Sequence, residues 1–196
     1  MKQIKGDEII TLFCIFKGLI VNIFLNSCYS WSMKIAAASI SFSGRPNNYA
    51  NIDQYVSRSA QPAKEDFAWL KAQGVTDIIN FRTMYQSGMN FDEKKVVENL
   101  GMKYHNIPTY SRTPKEENIL KFLKITNKVI EEGGKIHIHC KAGADRTGLN
   151  AFIYKMSKGI GTLRENIDEW IFRGHNTKLY PDMIPWAKNF VSKNFK

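Results

Sequence analysis

From residue 55 onward, apolar positions follow two alternating repeats. Short runs rich in β-branched and aromatic residues, Tyr55–Ser59, Val75–Phe81, Met102–Pro108 and Lys135–His139, predict strands. Between them the spacing changes to that of amphipathic helices. In Ala60–Gly74, Pro62 is tolerated in a first helical turn, Phe67 and Leu70 share a face, and Gly74 is the stop. In Asn90–Gly101, Asn90 is the expected N-cap, Glu93 lies three residues on, and Gly101 terminates. From Pro114 to Glu131, a continuous stripe of Ile119, Phe122, Leu123, Thr126, Val129 and Ile130 predicts a longer helix, ended by Gly133 and Gly134. Three further helices are expected over Thr147–Lys158, Thr162–Arg173 and Tyr180–Lys193. Alternating strands and helices imply an α/β fold, a central and mostly parallel sheet flanked by helices. Ligands of such folds sit beyond the carboxyl ends of the strands. The turn after Lys135–His139 opens at that edge.

The N-terminus does not share this periodicity. Early lysines and two apolar runs split by Lys17 and Gly18 resemble a signal peptide or membrane anchor over residues 1–32. Asp7 and Glu8 interrupt the basic region, and neither run reaches the roughly 20 residues that span a bilayer. Leu25–Cys28 has some likeness to a lipoprotein cleavage box; the alternative is translation from Met33. The chain is accordingly exported or membrane-anchored under the first reading and cytoplasmic under the second. Residues 33–54 are expected to be a linker, since residues 39–50 have loop composition, and residues 55–196 are expected to form one domain.

Composition sharpens this in two respects. The 196 residues are 43% hydrophobic and 23% charged, as in ordinary globular proteins, but the formal charge of +10 favours anionic partners. Three cysteines make no disulfide framework; Cys14 and Cys28 lie in the N-terminal stretch, so the domain holds Cys140 alone.

The neighbours of that cysteine carry the chemistry. His137–Gly148 reads HIHCKAGADRTG, a strand end, a short turn and the start of a helix. Such a turn aims several backbone N–H groups inward and adds the positive end of a helix dipole, which suits a phosphate dianion and favours a thiolate. Lys141, Ala142, Gly143, Ala144, Asp145 and Arg146 are the expected phosphate-binding residues. Gly143 permits a backbone angle closed to most residues, and Gly148 is expected to let the helix approach the strand. Arg146 can hold two phosphoryl oxygens with its planar fork. Cys140 is placed to attack phosphorus and form a phosphocysteine, Thr147 to donate its hydroxyl to the departing thiolate, and His139 to orient the loop backbone.

His139-Cys140-x5-Arg146-Thr147-Gly148 resembles the signature of the cysteine-dependent protein tyrosine phosphatases, with Gly143 at the family's glycine position. Ser57–Pro62 and Ile79–Arg82 resemble segments of the compact atypical dual-specificity phosphatases of bacteria, fungi and plants. The resemblance runs from about Tyr55 to the C-terminus. It implies a metal-free, cofactor-free hydrolase, a monomer acting on phosphotyrosine, phosphoserine or phosphothreonine in proteins, or on inositol phosphates. Many relatives carry a general-acid aspartate on an upstream loop, and Ile107–Asn118 has none. Glu116 and Glu117 lie there, where acids also suit the first turn of a helix. Asp145 is the favoured acid. Myotubularin lipid phosphatases and some bacterial phosphatases of broad range also have aspartate before this arginine, and Lys141 occupies a position that is basic in some phosphoinositide phosphatases.

The leading expectation is therefore a dual-specificity or tyrosine phosphatase, with a phosphoinositide or inositol-phosphate phosphatase as the alternative. A membrane association through the N-terminus accompanies the anchor reading. An RNA 5′-triphosphatase and a silent phosphate-binding module are the remaining readings. No nucleic-acid module accompanies the first, and an intact Cys140, Arg146 and Thr147 argue against the second. His105 and His137 are expected to be structural, and Trp170 and Trp186 to be core. Lys121, Lys124 and Lys128 form a solvated face, and Arg58 and Arg82 either line the phosphate pocket or make ion pairs.

Overall fold

The computed structural model describes residues 44–83, 88 and 90–195. The expected signal or anchor over residues 1–32 lies outside the described residues. Among the described residues, no helix is long and apolar enough to cross a membrane.

Five strands form one sheet: β1 (Ala50–Asn51), β2 (Val56–Ser59), β3 (Asp77–Asn80), β4 (Lys103–Asn106) and β5 (Ile136–His139). Their order is β1-β2-β5-β3-β4, with β1 antiparallel at one edge and every other pairing parallel. Among the described residues, six helices follow one another: α1 (Asp66–Ala72), α2 (Glu93–Asn99), α3 (Glu116–Glu131), α4 (Asp145–Ser157), α5 (Leu163–Phe172) and α6 (Met183–Asn194). β1 lies within the stretch expected as linker. Ala50 and Asn51 pair with Arg58 and Ser57, and Asp53 accepts the hydroxyl of Tyr154 at 2.6 Å, so these residues belong to the folded body.

Period-two alternation divides the core between the two faces of the sheet. Ile136 and Ile138 of β5 and Ile79 of β3 face a core containing Ile119 and Phe122 of α3, Leu149 and Phe152 of α4, Trp170 of α5 and Phe190 of α6. Ile78 faces a smaller core with Phe67 and Leu70 of α1 and Val97 of α2. Complete burial of a side chain such as Phe122 contributes about 1.5–3 kcal/mol. The remaining residues of β5, His137 and His139, are fully buried toward the smaller layer. His137 is structural, as expected: Ser57 and Ser59 hydroxyls lie 2.9 and 2.7 Å from its two ring nitrogens. Burial, then the neighbouring His139, push its basicity well below the usual histidine range.

Several helix starts differ from the sequence reading: α4 begins at Asp145 rather than Thr147, and α6 at Met183 rather than Tyr180. Pro62 precedes α1 rather than entering its first turn; the Asp66 carboxylate accepts the Ala63 N–H at 2.8 Å and turns the chain into the helix there. For α2 the cap is Asp92, whose side chain accepts from Lys95 N, instead of Asn90. Glu93 then points inward.

The register positions the site. His139 pairs with Ser59 on one side and Asn80 on the other, so β2, β5 and β3 end at the same level. The segments that follow, Ala60–Gln61, Cys140–Ala144 and Phe81–Arg82, emerge together at the carboxyl edge.

Candidate active site

The loop between β5 and α4 turns its carbonyls outward, and a different partner holds each one. Lys141 O accepts from Gln61 N at 3.1 Å, and Ala142 O from the Asn48 side chain at 3.2 Å. Gly143 O accepts from Arg58 Nη2 at 2.7 Å. Ala144 O accepts from Trp170 Nε1 at 3.1 Å and from Gly148 N at 2.8 Å. A tight turn whose carbonyls point one way presents its N–H groups the other way, as an anion-binding nest. Gly143 sits at φ +69°, and a Cβ there would lie 2.5 Å from Ala60 N. Glycine is therefore required twice over, by conformation and by space.

Cys140 lies at the base of this loop, only 2% exposed. Arg146, in the first turn of α4, is 9% exposed, with a guanidinium nitrogen 3.5 Å from Phe81 O. Thr147 is completely buried, and its hydroxyl has no hydrogen-bond partner among the described residues. His139 Nδ1 lies 3.4 Å from Cys140 O, while Nε2 bonds to Glu93 Oε1 at 2.8 Å. Glu93 also accepts from Gln61 at 2.7 Å and Asn80 at 3.1 Å. Burial works to raise the Glu93 carboxyl, but the charge and hydrogen bond of His139, with those from Gln61 and Asn80, hold it below its ordinary range.

Arg58 of β2 and Arg82, just beyond β3, have different tasks. Arg58 lies behind the loop, outside the substrate side, bracing Gly143 O and facing Glu169 at 3.9 Å. Burial and the nearby Arg173 lower it to about 10, opposed by Glu169 and Cys140. Arg82 donates to Gln61 Oε1 at 2.7 Å and so joins the Glu93 network. Gly148 meets α5 instead of the strand: a Cβ there would fall 2.1 Å from the Trp170 indole. Trp170 is core, as expected, and is also a loop anchor.

Each of the expected acids is held by a partner of its own. Glu116 is bound by Lys193 at 3.3 Å and Glu117 by Lys115 at 3.6 Å, both in the first turn of α3. Asp145 Oδ1 accepts from Asn176 N at 3.0 Å and bonds His175 Nδ1 at 2.8 Å. Partial burial works to raise Asp145, yet these hydrogen bonds hold its carboxyl below the usual range. That favours the carboxylate, the form that cannot deliver a proton.

Above Arg146 opens a cavity of about 460 Å³ walled by residues 109–113, Thr83 and Tyr180. Its wall is rich in hydroxyls, and Arg112 rests on the Tyr180 ring at 5.7 Å. Glu93, Asn48, His175 and the anchoring role of Trp170 escaped sequence reasoning. Only Glu93 carried a local signal, being an acid next to an acidic cap.

A family model described as "Polymorphic toxin system, DSP-PTPase phosphatase" matches residues 53–159. The tyrosine-protein phosphatase CDC14 homolog of Schizosaccharomyces pombe is 37% identical over 76 residues, which are 38% of this chain. The match spans 14% of that curated relative's length. Among solved structures, a DUF442 protein from Shewanella putrefaciens CN-32 aligns with a TM-score of 0.66 at 23% identity, over 76% of this chain and 92% of that one. TpbA of P. aeruginosa aligns with a TM-score of 0.58 at 21% identity, over 75% and 84%. The core catalytic domain of PP-IP phosphatase SIW14 from S. cerevisiae gives 0.59 at 20% identity, over 77% and 94%. At these identities the structural likeness is one of fold.

Proposed function

The chain belongs to the DSP-PTPase phosphatase family of polymorphic toxin systems, and on that premise we propose that it hydrolyses phosphomonoesters through a phosphocysteine, in the manner of tyrosine and dual-specificity phosphatases. The observation that carries this reading is the set of outward tethers on the carbonyls of residues 141–144 above a buried Cys140. Folding fixes the inward N–H groups in advance, so little reorganisation is required when charge develops on the phosphoryl oxygens.

The Cys140 thiolate attacks phosphorus; the S–P bond forms as the P–O bond to the leaving group breaks. Arg146 holds two of the phosphoryl oxygens, and the N–H groups of Lys141 to Arg146 hold them from below. Water then attacks phosphorus, the S–P bond breaks, inorganic phosphate leaves and the thiolate returns. The Thr147 hydroxyl, which has no partner among the described residues, would donate to that thiolate as it departs. His139, gripped by Glu93, fixes the backbone at Cys140. Cys140→Ser should abolish hydrolysis of nitrophenyl phosphate while phosphate binding persists, and Arg146→Lys should be severely impaired because an ammonium lacks the fork. Turnover by Cys140→Ser near the wild-type rate would defeat the reading.

One observation favours a second reading of substrate, the inositol phosphate or phosphoinositide. Arg112 adds a second cation to a hydroxyl-rich wall above Arg146, which suits a polyol bearing more than one phosphate. Hydrolysis rates across phosphopeptides, soluble inositol phosphates and phosphoinositide vesicles separate the two.

A further inference from the structure

Asp145 directly precedes Arg146, yet its contacts lead to the opposite wall. Its Oδ1 accepts from Asn176 N at 3.0 Å and lies 2.8 Å from His175 Nδ1. The His175 side chain is completely buried, and its ring stacks on Trp170 at 4.5 Å. Trp170 in turn donates to Ala144 O of the phosphate loop at 3.1 Å. Nε2 of His175 is buried without a partner. With Nδ1 facing the carboxylate, the His175 ring donates its Nδ1–H and the Asp145 carboxylate accepts.

The same oxygen grips the segment beyond. Asn176 O accepts from Tyr180 N at 2.9 Å, and Asn176 Oδ1 accepts from Leu179 N at 2.8 Å, which closes residues 176–180 into a tied turn. Tyr180 leaves that turn into the cavity wall and carries the Arg112 guanidinium on its ring. One carboxylate oxygen thus joins the residue beside Arg146 to the wall that faces the substrate.

We propose that Asp145 and His175 are a positioning pair that ties the Tyr180 wall to the phosphate loop, and that Asp145 is not the proton donor to the leaving group. The inference rests on the phosphatase reading above and concerns the same site.

Asparagine and alanine at residue 145 separate the two roles. The Asn oxygen can accept both bonds but has no acidic proton, whereas Ala loses both. Asp145→Ala and His175→Phe should each lose about 30-fold in kcat/KM for phenyl phosphate, chiefly in KM, because a displaced wall misplaces substrate, and Asp145→Asn should lose about tenfold less than Asp145→Ala. His175→Asn, whose amide can stand in for Nδ1–H, should recover most of that loss. The dependence of rate on leaving-group pKa should have the same slope in Asp145→Asn as in wild type. Equal loss by Asn and Ala on phenyl phosphate, with nitrophenyl phosphate spared by both, would make Asp145 the acid and overturn the proposal. Amide exchange tests it without turnover: protection at Asn176 and Tyr180 should survive in Asp145→Asn and fall in Asp145→Ala. Unchanged protection in Asp145→Ala would also overturn it. A failed Cys140→Ser test removes the phosphatase reading but leaves this exchange pattern interpretable.

Discussion

The floor of the site and its rim are built to different standards. On the floor, residues 143, 144, 146 and 147 are buried and four successive carbonyls are tied to partners from β2, α5 and the segments beside them. On the rim, Tyr110 is 58% exposed, and Arg112 is exposed and rests on Tyr180 through a ring contact. In the proposed reaction the floor would match a tetrahedral phosphoryl group at every turnover, and a shift of a fraction of an ångström would weaken several charge-assisted bonds together. The rim meets the part of the substrate that varies. Rigid support under the chemistry and loosely held side chains around it are how one scaffold accommodates different substrates.

If that contrast is sound, the floor should respond most sharply to substitution. Gly143→Ala forces a Cβ to within 2.5 Å of Ala60 N at φ +69°, and loop geometry cannot survive it. Activity on nitrophenyl phosphate should fall at least about 100-fold, as for any ångström-scale misplacement of reacting groups. Near-normal kcat would show that the floor is more compliant than its packing indicates.

Next in size is Glu93. Replacing it with alanine leaves donors of His139, Gln61 and Asn80 without their acceptor, each worth about 1–3 kcal/mol when buried, and should lower the thermal midpoint by several degrees. The pH sign follows from the depressed Glu93 and Asp145 carboxyls. Their stabilisation is fully present above the ordinary carboxylate range, near pH 4, and is lost as pH falls through their lower folded values. Denaturant midpoints should therefore fall with acidification below about pH 4.5 in wild type, and less steeply in Glu93→Gln.

Trp170→Phe keeps an aromatic ring but removes the donor to Ala144 O, a cost of about 1 kcal/mol with a severalfold loss of kcat. Denaturant titration and steady-state kinetics on the same preparation measure both. The smallest effect belongs to the rim. Arg112→Ala should leave stability within about 0.5 kcal/mol and change nitrophenyl phosphate kinetics little, while raising KM for inositol polyphosphates. An equal KM change for both substrates would place Arg112 in phosphoryl binding and blur the distinction between rim and floor.

Cys140 to Gly148 were legible from the sequence because a strand end, a tight turn and a helix start are written in neighbouring residues. The helical stripe of Ile119, Phe122, Leu123, Thr126 and Val129 was legible for the same reason, since it repeats within one element. The cap of α2 was misplaced by two residues because Asn90 and Asp92 are both competent caps and only the chain path selects between them. The second residue of that helix's signal, Glu93, was misread with it: tertiary packing turned it onto His139, 46 positions away. What holds the phosphate loop was decided only in three dimensions. Asn48, Arg58 and Trp170 reach it from 94, 85 and 26 positions away, and His175 reaches Asp145 from 30. None of these pairs shares an element, so no periodicity records them; they exist because parallel pairing brings the ends of β2, β3 and β5 to one edge and packs α5 against the loop. The sequence by itself determined the segment on which the proposed chemistry rests, Cys140 to Gly148, because those residues are contiguous. The tertiary structure decided what keeps them in place and which partners hold the Asp145 carboxylate, because both depend on groups that only folding brings within hydrogen-bond distance.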